Sequence, residues 1–176
     1  MNIFQLSETG CPVEATQMHC DRHMKIILEC AQMLCDAFVV KDITAPYKKC
    51  NPNHPATKWA RQTRQNFDWM IYYGRALSAE NTKRYGKIHK STEVIEWCNA
   101  NVNLLNLPDD KQTQFVTAIK DDKECRKRIR NFNDLPVWQQ YRLYYVFDKP
   151  FAKWDRLQNT PQWFLDMKQK YGIVLQ

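Results

Sequence analysis

Apolar residues recur at three- and four-residue intervals along most of this chain, the spacing that gives a helix one buried face. Pro12 with Glu14 suits a helix start, and Met24, Ile27, Leu28, Ala31, Leu34, Cys35 and Phe38 continue one stripe, so the pattern predicts a helix over about residues 13–39. Val40 to Asn53 carries Pro46 and Pro52 and reads as a loop. A second helix is predicted from Pro55, capped by Asn53 or His54, with Trp59, Thr63, Phe67, Met70, Ile71, Gly74 and Leu77 inward. It can run to Tyr85, with Lys83 and Arg84 in the last turn and Gly86 as the stop. Ser91 with Glu93 starts a third, and 106–110 is a turn. Residues 111–130, dense in both charges, predict one or two short exposed helices. Pro136 opens another helix, which Pro150 breaks, and Thr160-Pro161 starts a last one that ends before Gly172. Met1 to Leu6 reads as a short strand or extended segment. The expectation is an all-α, compact multi-helix single domain spanning residues 1–176.

Composition narrows the class. Four Gly against 6 Trp, 8 Tyr and 8 Phe favour compact helices with aromatic seams over a turn-rich barrel. No apolar run approaches the ~20 residues needed to cross a bilayer, and the start lacks the basic and apolar regions of a signal peptide. The seven cysteines are odd in number and none is paired in a CxxC spacing, which argues against a zinc ribbon and a secreted disulfide framework. Reduced thiols in a cytoplasm are expected. The net charge of +7 is uneven, because residues 41–90 hold eleven Lys/Arg and three Asp/Glu. A concentrated positive field attracts a polyanion, so nucleic acid, DNA favoured, or a nucleotide is the expected partner, and no membrane.

Several segments fall in a distinctive order. They are Met1-Asn2-Ile3-Phe4, His19-Cys20-Asp21-Arg22-His23 with Lys25 and Glu29, and Ala31-Gln32-Met33-Leu34. Asn53-His54-Pro55 with Trp59, Arg61, Asn66 and Trp69 follows, then Arg84-Tyr85-Gly86-Lys87 and His89-Lys90-Ser91. Tyr141-Arg142 with Tyr144-Tyr145, Ala152-Lys153-Trp154 and Pro161-Gln162-Trp163-Phe164 close the set. Together they resemble a family of short, largely uncharacterised open reading frames of bacteriophages and large DNA viruses. The resemblance covers most of the chain and implies action in the cytoplasm of an infected bacterium. It brings no established activity.

Candidate chemistry centres on the histidines. His19 and His23 are four apart and would share one side of a helix, a spacing that can grip a metal. Asp21 or Glu29 could be thought to complete such a site, but Asp21 would point nearly opposite to His23 and a third ligand would have to come from His54 or His89, so no metal and no cofactor is expected. His23 and Asp21, with Lys25 as an alternative amine nucleophile and His54 at a helix start, are the candidate catalytic groups. Lys58, Arg61, Arg64 and Asn66 follow on the same predicted helix as phosphate and base contacts. Arg84, Tyr85, Lys87, His89 and Lys90 resemble the parts of a phosphate cradle without P-loop spacing, and His19, Lys153 and Trp154 complete the expected nucleic-acid set. Only His89-Lys90-Ser91 has the spacing of a two-histidine phosphodiesterase motif, and it falls at a predicted helix start where such motifs normally lie on strands.

Three functions are compatible with this pattern. The first is a base-excision (glycosylase-like) or base-modifying enzyme that extrudes a nucleotide from DNA. The second is a phosphodiesterase or nuclease acting on nucleic acid or a signalling nucleotide. The third is a non-enzymatic binder of nucleic acid or nucleotide that counters host defence.

Overall fold

The computed structural model describes residues 2–156 and 159–173; Met1 of the expected N-terminal strand lies outside them. Among the described residues the chain is all-α: α1 (Pro12–Gln17), α2 (Ile26–Val39), α3 (Pro55–Ala60), α4 (Arg64–Tyr85), α5 (Ser91–Ala100), α6 (Glu124–Arg128), α7 (Val137–Asp148) and α8 (Gln162–Lys170). Short 3-10 turns intervene at Asp21–Lys25, Val102–Leu105 and Phe132–Asp134. No strand forms among these residues. The N-terminal segment is extended, and Ile3, Phe4 and Leu6 are buried in the same core as the helices.

The core is built on α2, whose apolar stripe packs on α3, α4 and α5. Gly74 explains how closely three of these helices approach. A methyl group there would lie 2.8 Å from Ile95 Cδ1 on α5 and 3.1 Å from Cys30 Sγ on α2. The usual helix penalty of glycine is offset by that contact. All seven cysteines are free thiols, and Cys35 and Cys98 place their sulfurs 3.8 Å apart across α2 and α5.

Two predicted helices are interrupted, each where tertiary partners claim backbone groups. The helix expected over 13–39 stops after Gln17, passes through a turn and the 3-10 segment, and resumes at Ile26. Here the carbonyls of Gln17 and His19 accept from the Arg84 guanidinium, that of Met18 accepts from Trp154 Nε1, and the Asp21 amide donates to Lys153. Those bonds replace the i to i+4 ladder that a continuous helix would need. His19 and His23 therefore do not share a helix face.

The helix expected from Pro55 breaks at residues 61–63. Thr63 is extended and caps α4 by accepting from the Asn66 amide, while Asn66 Nδ2 donates to the Trp59 carbonyl. Gly86 ends α4 in the left-handed conformation (φ 66°), as its position predicts.

The stretch 111–120 is irregular, and a helix forms only at Glu124–Arg128. The amides of Gln112 and Thr113 donate to Gln65 and Asn66 side chains, and the Ala118 amide donates to Tyr141 Oη. The segment is thus laid across α4 and α7 by side chains, and those bonds hold it out of a helix.

Candidate functional site

Because the N-terminal segment is extended against α2 and α7, its first side chains open a cleft at the helix ends. The cleft has a volume of about 340 Å³, and its walls come from separate stretches of chain. Asn2 and Phe4 line one side, His23, Ile26 and Glu29 the floor, and Ala118, Lys120, Lys123, Tyr144 and Lys149 the rest. Glu29 Oε2 accepts the Asn2 amide at 2.7 Å, while Asn2 Nδ2 donates to the Ala118 carbonyl at 3.2 Å. Tyr141 Oη donates to Asn2 Oδ1 at 3.0 Å, so this residue ties three segments to one carboxylate.

Rings define the other wall. Phe4 stacks on His23, with centroids 4.5 Å apart and planes 12° apart. Lys149 Nζ lies 4.3 Å from the Tyr144 ring centre and donates to its hydroxyl at 3.1 Å. Partial burial lowers the Lys149 pKa, with Asp148 and Glu29 among the charges acting in the opposite direction. Lys120 and Lys123 bring further cations, Lys123 with Asp122 at 4.0 Å.

Behind this wall lies a neutral aromatic seam. His23 is bonded through Nδ1 to Tyr145 Oη, and its pKa falls to about 2, chiefly through burial and then through the charges of His19, Lys149, Lys25 and Arg22. His19 is fully buried, with Nε2 3.2 Å from the Phe4 carbonyl and 2.9 Å from Tyr73 Oη; burial lowers its pKa to about 3. Both rings are therefore neutral near pH 7. An imidazole so placed can orient, pack and hydrogen-bond, but near pH 7 it is not the charged acid that general-acid catalysis would use. Among the described residues no group of three His, Cys, Asp or Glu side chains is placed to hold a metal ion.

Of the candidate catalytic groups, His23 alone lines the cleft. The Asp21 carboxylate anchors a loop instead, accepting from Arg84 Nη1 at 3.1 Å and from the amides of Asp155 and Arg156 at 2.7 and 3.0 Å. Lys25 is exposed at the end of the 3-10 turn. His54 caps α3 by accepting the Ala56 amide on Nδ1.

The expected phosphate contacts also separate. Lys58 is exposed on α3, Arg61 donates to the Pro52 carbonyl, and Arg64 bonds to Asp68 and Asn103. Asn66 is fully buried between Trp59 and Thr113, and Trp154 is buried with its indole N–H on Met18. The Arg84 side chain has no exposure and is paired with Glu80 and Asp21. Tyr85, Lys87, Lys90 and Lys153 are exposed, and His89 accepts the Ser91 amide at the start of α5.

Sequence reasoning missed Lys120, Lys123 and Lys149 as site residues, used Asn2, Phe4 and Tyr144 only as parts of sequence patterns, and weighed Glu29 only as a metal ligand beside His19 and His23. No local spacing signals them, because they meet only through contacts between distant segments. Comparison with protein-family models, curated proteins and solved structures found nothing that matches this chain. Among the described residues no helix is long and apolar enough to cross a membrane.

Proposed function

We propose that the chain is a viral protein that acts on DNA by excising a base, with the reaction in the cleft of Glu29 and Lys149. The observation that carries this reading is the meeting of one carboxylate, three lysines and two aromatic rings around one open volume. Tyr144, half-buried at the cleft with Phe4 packed behind it, supplies a ring against which an extruded base can stack, and Lys120 and Lys123 supply charge for the flanking phosphates. Lys149, half-buried and with a lowered pKa, has a larger fraction of free amine at neutral pH than an exposed lysine.

In the proposed step, Nζ of Lys149 attacks C1′ of the extruded nucleotide. The glycosidic bond breaks, and the base leaves with its electron pair and takes up a proton. Nζ gives up one proton to the Glu29 carboxylate. The C1′–O4′ bond then breaks with O4′ taking up a proton, and loss of a second proton from nitrogen to solvent leaves an imine between C1′ and the lysine. His23 acts here as the neutral plate that holds Phe4 in place.

The test is incubation of end-labelled damaged and undamaged duplexes, run on denaturing gels with and without alkali, with borohydride added to a parallel sample. Base excision by this route gives alkali-sensitive sites and a covalent protein–DNA adduct after borohydride, lost in Lys149→Ala. Intact DNA under every condition would overturn the proposal.

A further inference from the structure

Away from the cleft, one large apolar side chain stands out among cations. Ile88 is 76% exposed, in the connection that Gly86 turns out of α4 and that leads into α5. It lies beside exposed Lys87 and Lys90, and with Tyr85 and His89 these residues line a shallow depression. An isoleucine held out in water at the tip of a basic turn gains nothing for the fold.

From this tip a chain of contacts leads to the cleft. The Arg156 guanidinium lies 5.4 Å from the centre of the Tyr85 ring, whose hydroxyl donates to the Asp21 carbonyl. The Asp21 amide in turn holds Lys153 through its carbonyl. Arg22 follows, its guanidinium 4.5 Å over the Phe151 ring, and Lys149 Nζ lies 5.7 Å from the centre of the same ring. Arg22, Lys153 and Arg156 are all exposed. The Asp21 carboxylate on this path is already engaged by Arg84 and two amides, while Asp155 is an exposed acid beside it.

We infer that this ledge is a docking surface for duplex DNA, its phosphates lying along Lys87, Lys90, Arg156, Lys153 and Arg22 while Ile88 enters the stack as a wedge. Spaced cations hold a backbone by charge, and an apolar side chain inserted at a base step unstacks and kinks it. The inference rests on the base-excision reading only for where the ledge leads, since a nucleotide loosened at Ile88 is passed toward Lys149.

The test uses the full chain and a fluorescent duplex of two helical turns carrying 2-aminopurine, titrated over a range of salt concentrations. Combining Arg22→Ala, Lys87→Ala and Arg156→Ala should weaken binding by about tenfold or more, and lower the slope of log affinity against log salt by about 3. Ile88→Ala should keep most of the affinity but abolish the rise in 2-aminopurine emission that reports unstacking. All four positions are exposed, so circular dichroism melts should match the wild type. Unchanged affinity and slope in the triple variant would overturn the inference. So would loss, in Ile88→Ala, of binding to phosphatidylserine vesicles with duplex unstacking intact. None of these readouts uses the chemistry of the cleft. Persistence of the ledge effects in a protein that releases no base would leave the ledge standing and remove the excision reading.

Discussion

The basic stretch 41–90 and the cleft at the N-terminus are both rich in lysine or arginine, yet they spend that charge differently. In the stretch, Lys41 donates to the Leu105 carbonyl, Arg61 to Pro52, Arg64 pairs with Asp68, Arg75 with Glu96, and Arg84 is sealed between Glu80 and Asp21. Much of what looks like a field along the chain is internal fastening. In the cleft, lysines contributed by distant segments face one open volume beside a carboxylate. Density of charge along a sequence marks a site less reliably than charge gathered around space that a ligand can enter.

The sharpest break of that comparison is in turnover. Glu29→Gln should lower base release by about 10²–10⁴-fold, the usual range for a group that takes part in proton transfer, measured by single-turnover assays. Wild-type rates in this variant would mean that Glu29 takes no part in the reaction and that the exposed part of 41–90 is the working surface.

Arg84 tests the opposite side. Arg84→Met leaves Glu80 and Asp21 without their buried partner and should cost about 3–5 kcal/mol of stability in urea unfolding. A loss of DNA affinity with stability unchanged would instead make Arg84 a ligand contact.

Acid should find the seam behind the cleft. In the unfolded chain both imidazoles take up protons near pH 6.5, whereas folded His19 and His23 stay neutral down to about 3 and about 2. Between those limits the unfolded state binds more protons, so stability is complete above about pH 6.5 and falls as the pH drops. The slope reaches up to about 1.4 kcal/mol per pH unit for each histidine. Urea midpoints that hold steady from pH 7 to pH 5 would show that neither ring is sealed from water.

The smallest effect is expected from Lys48→Ala, Lys49→Ala and Lys58→Ala, all exposed in the basic stretch. Each should change stability by no more than about 0.5 kcal/mol and leave base release within a factor of about two. A large loss of activity would shift the working surface from the cleft to this stretch.

Much of the fold was legible because its signals are local. The stripe from Ile27 to Phe38, Pro55 and His54 at the start of α3, and Gly86 after α4 act through neighbours a turn away, and the structure follows them except at Leu28, which is 41% exposed. The breaks at residues 18–20 and 61–63 were not legible, because carbonyls there bond to Arg84, Trp154 and Asn66, none of which is marked by helical periodicity. The candidate site shows the same divide. Of the groups expected to do chemistry, His23 reaches the cleft, and burial with a bond to Tyr145 removes the proton chemistry that its residue type suggested.

The sequence by itself therefore determined an all-helical chain with its main caps and stops, since helix propensity and periodicity act within a few residues. The tertiary structure alone decided which polar residues face a void and which are sealed, and hence the pairing of Glu29 with Asn2 and the nearness of Lys149 to Phe4. Those meetings span much of the chain, and packing creates them by burying apolar neighbours. The burial that assembles the site also sets the charge state of the groups within it.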